Sequence, residues 1–131
     1  NGTTHYLHCI NVGNPHGILI VDDFNDEQVN SLGLALSQHP KFIEGANISF
    51  VKILSKQHIQ LRVFERGAGE TLACGSGALA ASAAVRLFHH CAEKITVSLP
   101  GGDLNIRWKG LGHKISFTGP AINVFDGHWH I

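Results

Sequence analysis

The chain has 131 residues, a length at which a single domain with a substantial core is expected, so we predict one domain over residues 1–131. Ten acidic and ten basic side chains are spread along it without blocks, and 44% of its residues are apolar. This balance argues against a disordered chain and against a nucleic-acid partner. The apolar stretches are too short to span a bilayer and the first residues do not resemble a signal peptide, so we predict a cytoplasmic protein with no membrane partner.

The three cysteines are predicted to be free thiols in a reducing compartment. Cys9, Cys74 and Cys91 cannot all pair within one chain and show no CxxC spacing. This argues against a disulfide framework and against a zinc site. The ten histidines are scattered rather than grouped as ligands, so no metal ion is expected.

The first half of the chain predicts strands and one amphipathic helix. Residues 4–12 and 18–21 have strand character and flank the turn GNPHG. Asn25 or Asp26 is a candidate cap for a surface helix that ends near residues 39–40. Residues 47–54 and 58–64 are rich in β-formers, and the short SKQ segment between them predicts a hairpin.

The second half predicts three more strands and a helix of a different kind. The strands are expected over residues 94–99, 104–108 and 114–117, separated by tight turns. The helix begins near Ser76 or Gly77 and is apolar on all sides up to Arg86, a pattern typical of a buried helix. We therefore predict an α+β fold, in which a mostly antiparallel β-sheet curls around a central buried α-helix and the other helix lies outside.

One cysteine lies in an unusual segment, ERGAGETLACGSGA at residues 65–78. Cys74 precedes Ser76, a good helix cap, by two residues, which predicts a sulfur near the start of the buried helix. Helix N-termini lower the pKa of thiols and bind anions such as carboxylates. Glu65 and Arg66 offer an acceptor and a guanidinium fork, and glycines let the backbone approach a ligand closely. The alternative is that Cys74 is a small buried residue that only packs the helix.

Two further polar positions are ambiguous when taken alone. Asn14 and His16 lie in a turn, where both residue types are common without any catalytic role. An amide and an imidazole on one rigid turn could also bind a polar substrate and exchange protons with a thiol. Asn47 opens a strand and is by itself weak evidence for a site.

Together, three motifs resemble the second half of diaminopimelate epimerases. They are GNPH at 13–16, GANISFV at 45–51 and ERGAGETLACGSGA at 65–78, and both their order and their separation fit that family. The resemblance implies a cofactor-independent isomerase of lysine and peptidoglycan precursor biosynthesis. Such an enzyme interconverts LL- and meso-2,6-diaminopimelate with two cysteines on opposite faces of the α-carbon.

The resemblance also implies a role for each matching residue. Cys74 corresponds to the second catalytic cysteine, Glu65 to a carboxylate that tunes it, and His16 to a histidine near the other cysteine. The backbone of Gly75 and Ser76 corresponds to the amides that hold the reacting carboxylate, and threonine is also common at the Ser76 position. Contacts with the distal end of the substrate are implied for Asn14, Asn47 and Arg66.

Family enzymes have two similar domains, so the resemblance implies that residues 1–131 form the C-terminal half. The partners implied are the small-molecule substrate and the N-terminal domain of the same protein, and a homodimer through the exposed face is compatible with the sequence. We expect no epimerase activity from this chain alone. The alternatives are a proline or hydroxyproline racemase-like isomerase and a non-catalytic binding domain on the same fold.

Overall fold

The computed structural model describes residues 2–131 and consists of a single curled sheet with helical segments on both of its faces. Its strands are β1 (His8–Asn11), β2 (Pro15–Ile20), β3 (Asn47–Ser55), β4 (His58–Glu65), β5 (Gly69–Thr71), β6 (Lys94–Leu99), β7 (Gly102–Arg107) and β8 (Ser116–Thr118). A π-helical turn, Gln28–Leu32, runs directly into the short helix α1, Gly33–Ser37. The longer helix is α2, Gly75–His89.

The sheet is mostly antiparallel, as predicted, but it contains two parallel pairs that the sequence did not indicate. The strand order is β1-β2-β3-β4-β6-β7-β8, and β5 pairs with β4 outside this path. β2 runs parallel to β3, and β4 runs parallel to β6. In each case a helical segment connects the two strands, and such a crossover returns the chain to the sheet in the same direction.

Alternating side chains give the sheet two separate cores. Val51, Leu61 and Val63 belong to the core cluster that contains the buried alanines of α2. Phe50 and Phe64 point the other way and belong to the cluster of the π-helical turn and α1. Because successive strand residues face opposite sides of a sheet, each strand serves both cores. This confirms the predicted arrangement of one central helix and one outer helix.

Small side chains let α2 lie close against the concave face of the sheet. The residues from Ala80 to Val85 are all buried. The burial ends at Arg86, where the apolar pattern in the sequence also ends, and Leu87 and Phe88 beyond it are 36% and 53% exposed. The edge strands of the sheet are β1 and β8, and both of them contact α2. Among residues 2–131, no helix is long and apolar enough to cross a bilayer.

Several predicted boundaries shift in the structure. The first strand is limited to β1, and the last predicted strand lies slightly later, in β8. The outer helix is capped as expected, because Asn25 Oδ1 accepts a hydrogen bond from the backbone amide of Gln28 at 3.1 Å. Its turn Gln28–Leu32 is π-helical, and the residues before this turn, 26–27, and after it, Gly33–Ser37, are α-helical.

Candidate active site around Cys74

Sheet topology brings the predicted polar residues to one end of the neighbouring strands β2, β3 and β4. His16 near the start of β2 lies opposite Asn47 at the start of β3, because these strands are parallel and in that register. β4 runs antiparallel to β3, with Ile48 opposite Phe64. Glu65, the last residue of β4, therefore lies at the same end of the strands. Segments far apart in sequence converge there through strand pairing alone.

Cys74 itself is the N-cap of α2, which corrects the prediction that Ser76 has this role. Its backbone is extended, with φ −145° and ψ 105°, and its Sγ accepts a hydrogen bond from the Gly77 amide at 3.3 Å. Gly75 is already helical, so Ser76 belongs to the first turn. The thiol is only 8% exposed. The sulfur therefore lies against the first-turn amides, where a helix stabilises negative charge.

A chain of polar contacts connects the thiol to the GNPH turn. The Asn14 side-chain amide donates to Ser76 Oγ at 3.3 Å, and that oxygen is 3.6 Å from Cys74 Sγ. Asn14 Oδ1 and His16 Nε2 are 3.1 Å apart. Since the amide oxygen can only accept, the His16 Nε2 atom carries the proton in this arrangement. The structure thus groups Asn14, His16, Ser76 and Cys74.

His16 is a buried, neutral imidazole in this group. It is 1% exposed, and within the described part of the chain its Nδ1 atom has no hydrogen-bond partner. Burial lowers the pKa of His16, and the negative charge of Glu65 offsets part of that effect. A neutral ring with one free basic nitrogen can accept a proton from a nearby acid.

Glu65 is fixed by a residue that the sequence did not single out. Its Oε1 accepts a hydrogen bond from Thr71 Oγ1 at 2.6 Å. Thr71 lies on β5, which pairs with the end of β4. Gly67 and Gly69 have left-handed φ angles of 80° and 82°, which close this hairpin. The two glycines in RGAG were the available sequence signal for the hairpin, and thus for Thr71.

Asn47 and Arg66 form a second group beside the first. Asn47 Oδ1 accepts a hydrogen bond from the Arg66 backbone amide at 2.8 Å. The guanidinium of Arg66 is exposed and donates to the carbonyl of Glu44, in the loop before β3. Among the hydrogen bonds of residues 2–131, none joins Asn47 or Arg66 to Cys74, Ser76 or Asn14. The structure therefore orients Arg66 toward this loop and not toward the thiol.

The other two cysteines lie away from the start of α2. Cys9 is exposed on β1, and Cys91 is buried just after α2. Burial raises the pKa of the Cys91 thiol, and Lys56 opposes part of this shift. In the part of the chain that the structure describes, no group of three or more His, Cys, Asp or Glu side chains is arranged to hold a metal ion.

This arrangement is suited to proton transfer at a carbon next to a carboxylate. The free amides at the start of α2 can bind a carboxylate and stabilise the charge that develops when the α-proton leaves. Cys74 lies at the same place and can take or return a proton. The site offers one thiol, and therefore a proton donor or acceptor on one face of a substrate carbon.

The chain is similar to known proteins over most of its length. A family model described as diaminopimelate epimerase matches residues 8–124. The diaminopimelate epimerase of Legionella pneumophila strain Philadelphia 1 is 53% identical over 127 residues, which cover 97% of this chain and 46% of the relative. The strain Paris protein is 52% identical over the same length. The chain thus spans about half the length of the curated relatives it matches.

Solved structures show the same fold at lower identity. A PhzF family phenazine biosynthesis protein from Enterococcus faecalis has a TM-score of 0.59 and 17% identity, covering 74% of this chain and 35% of that one. A PhzC/PhzF protein from Clostridium difficile strain 630 has a TM-score of 0.56 and 24% identity, covering 72% and 34%. These likenesses support the fold alone. The family model, which matches most of the chain, and the relatives at more than half identity decide the assignment: the chain belongs to the diaminopimelate epimerase family.

Proposed function

We propose that the chain is the C-terminal half of an enzyme that interconverts LL- and meso-diaminopimelate without a cofactor. The observation that carries this proposal is the position of Cys74, whose sulfur caps a helix start that also presents free amides to a carboxylate. The name of the family and the relatives supports the choice of substrate. A small-molecule substrate fits the compact group of polar side chains at this end of the strands.

The reaction transfers one proton at each face of the α-carbon. The Cys74 thiolate removes the α-proton, so that a C–H bond breaks and an S–H bond forms, and the electron pair stays on the carbon. The carboxylate, held by the amides of Gly75 and Ser76, spreads this charge. A second thiol returns a proton to the opposite face and becomes a thiolate. In the reverse direction the two sulfurs exchange roles.

The second thiol has to come from outside the group described here. Cys9 is on β1 and Cys91 follows the far end of α2, so neither lies at the helix start with Cys74. We therefore place the first cysteine on an N-terminal domain that faces the candidate site at this end of the strands. On this basis the chain by itself has no epimerase activity.

The other residues have supporting roles in the proposal. Glu65, anchored by Thr71, places a negative charge close enough to affect His16. Asn14 and Ser76 hold the thiol and the histidine in one hydrogen-bonded group. Asn47 and Arg66 lie in the second group, at a place where they can receive the distal end of a longer substrate. Because free thiols persist under reducing conditions, we place the enzyme in the cytoplasm.

The test measures exchange of the α-proton in deuterium oxide by proton NMR, using the two-domain protein and LL-diaminopimelate. Cys74→Ala is expected to lower the epimerisation rate by about 100-fold or more, the usual range for loss of a general acid or base. Cys9→Ala is the matched control, because it removes an exposed thiol on β1 and not the one at the helix start, and it should leave the rate unchanged.

Three outcomes would contradict parts of the proposal. Equal rates for the Cys74→Ala and unaltered proteins would exclude Cys74 as a catalytic residue and favour a non-catalytic binding domain. Turnover of hydroxyproline in place of diaminopimelate would favour the racemase alternative. Substrate-dependent proton exchange by the 131-residue chain alone would show that the second thiol is not needed.

A further inference from the structure

Two imidazoles meet at the C-terminal end of α2, at the opposite end from Cys74. His8 lies on β1 and His89 is the last residue of α2. Their Nε2 atoms are 3.0 Å apart, although the residues are separated by 81 positions in sequence. A helix rises about 1.5 Å per residue, so this pair is ~20 Å from the candidate active site. It has no part in the proposed proton transfer.

The orientation of both rings is already set by their neighbours. The His8 ring stacks on Phe88 with a centroid distance of 4.5 Å and an interplanar angle of 4°. The His89 ring meets His8 at 77°, with the centroids 5.1 Å apart. Stacking on Phe88 holds the ring of His8 with its Nε2 atom directed at His89. A ligand that uses both nitrogens therefore finds them at a suitable separation, and a rotation of the rings turns both lone pairs toward it.

The local charge favours a bound cation. A contact between two ring nitrogens needs one N–H and one lone pair, so at least one ring is neutral. The C-terminal carbonyls of α2 add a negative potential at this position. Arg86, the other basic residue of the last turn, directs its guanidinium at the carbonyls of Cys91 and Lys109.

We infer that His8 and His89 form a two-imidazole site for a divalent transition metal ion such as Zn²⁺ or Ni²⁺, with water completing the coordination. Two metal–nitrogen bonds of about 2.0–2.1 Å to one ion place the nitrogens roughly 2.9–3.4 Å apart. The observed 3.0 Å lies within that range. The ring that now donates moves its proton from Nε2 to Nδ1 through solvent, so each ring stays neutral. Imidazole ligands select Zn²⁺, Ni²⁺ or Cu²⁺ over Mg²⁺.

The site joins two elements that are distant in the chain. β1 lies at an edge of the sheet, and α2 ends beside it without a covering strand. An ion that binds both side chains in the folded state, and cannot bind them together in the unfolded chain, stabilises the fold in proportion to its concentration above its dissociation constant. Sequence spacing gave no sign of this pair, because only the fold brings the two residues together.

The test measures the melting temperature of the 131-residue chain with ZnCl₂ or NiSO₄, with MgCl₂ as the control salt. At a free ion concentration about 100 times the dissociation constant, we expect a rise on the order of 5–10 °C with Zn²⁺ or Ni²⁺, reversed by a chelator. His8→Gln and His89→Gln should each remove the rise. His113→Gln, which alters an exposed histidine elsewhere, should keep it.

A second measurement keeps the test valid if a variant is less stable. Substoichiometric Ni²⁺ should broaden NMR signals around His8, Phe88 and His89 first, in the unaltered chain. Signals that broaden equally at all ten histidines would overturn the inference. So would a melting-temperature rise that persists in both His8→Gln and His89→Gln.

Discussion

Gly77→Ala is expected to displace the thiol of Cys74 and to destabilise the fold. A Cβ atom added at Gly77 would be 3.0 Å from Val63 Cγ2 and 3.2 Å from Cys74 Sγ. Both distances are shorter than ordinary carbon contacts, and Val63 is a core residue that is 1% exposed. The sulfur also accepts the hydrogen bond of the Gly77 amide, so moving it weakens the cap.

The magnitude follows from two opposing effects. Replacing glycine by alanine in a helix gains about 0.5–1 kcal/mol through lower backbone entropy of the unfolded chain. Adding a methyl group to a tightly packed core costs roughly 1–3 kcal/mol. For Gly77→Ala we therefore expect a net loss of about 0.5–2 kcal/mol. Gly75→Ala is the matched control, because its new Cβ would be 3.7 Å from Phe117 Cζ, an ordinary contact.

Two assays together decide the outcome. Urea denaturation followed by circular dichroism gives the free energy of unfolding, and mass spectrometry after iodoacetamide treatment gives the alkylation rate of Cys74. Gly77→Ala should lower the unfolding free energy and speed alkylation, while Gly75→Ala should be neutral or slightly stabilising. If both variants were equally stable and Cys74 reacted at its original rate in each, the packing and the cap described for this sulfur would be wrong.

Three other predictions concern buried polar groups and the remaining thiols. Ser82→Ala should raise the unfolding free energy by about 0.5–1 kcal/mol in urea titrations. The Ser82 hydroxyl is buried without a hydrogen-bond partner in the described structure, and alanine is the better helix former. A loss of stability would reveal a hydrogen bond that the hydroxyl makes. The pKa of His16 is lowered from 6.5 by burial, so its contribution to stability is complete above pH 6.5 and declines as the pH falls toward the lower folded-state pKa. His16→Gln should therefore flatten the dependence of the unfolding free energy on pH below pH 6.5. An unchanged slope would argue against a neutral His16. In the native protein iodoacetamide should modify Cys9 first and Cys91 much more slowly. The reason is that Cys9 is exposed, whereas Cys91 is 4% exposed and its thiol has a raised pKa. The reverse order would contradict the fold around α2.

Local sequence patterns predicted most elements but not how strands connect in space. Runs of β-forming residues indicated β3 and β4, and the run of small apolar residues after Cys74 indicated a buried helix. The same patterns cannot distinguish parallel from antiparallel neighbours, because the direction depends on the path of the connecting segment. The pairs β2–β3 and β4–β6 were therefore missed as parallel.

The candidate site was predicted in its composition and only partly in its geometry. The segment around Cys74 placed a thiol at a helix start, yet the sequence favoured Ser76 as the cap because serine caps helices far more often than cysteine. The Asn14 to Ser76 contact spans 62 positions and depends on how closely the turn before β2 approaches the start of α2. The orientation of Arg66 toward Glu44 depends on the loop before β3 in the same way.

By itself, the sequence determined which residues alternate, which helix is buried and which thiol has glycines around it, because these properties depend on neighbours within a few positions. Three contacts became visible in the folded chain alone: Cys74 caps α2, Asn14 bridges His16 and Ser76, and His8 meets His89. Each of these contacts depends on the register of strands and on the closeness of α2 to the sheet. Those features result from packing over the whole domain and leave no local pattern in the chain.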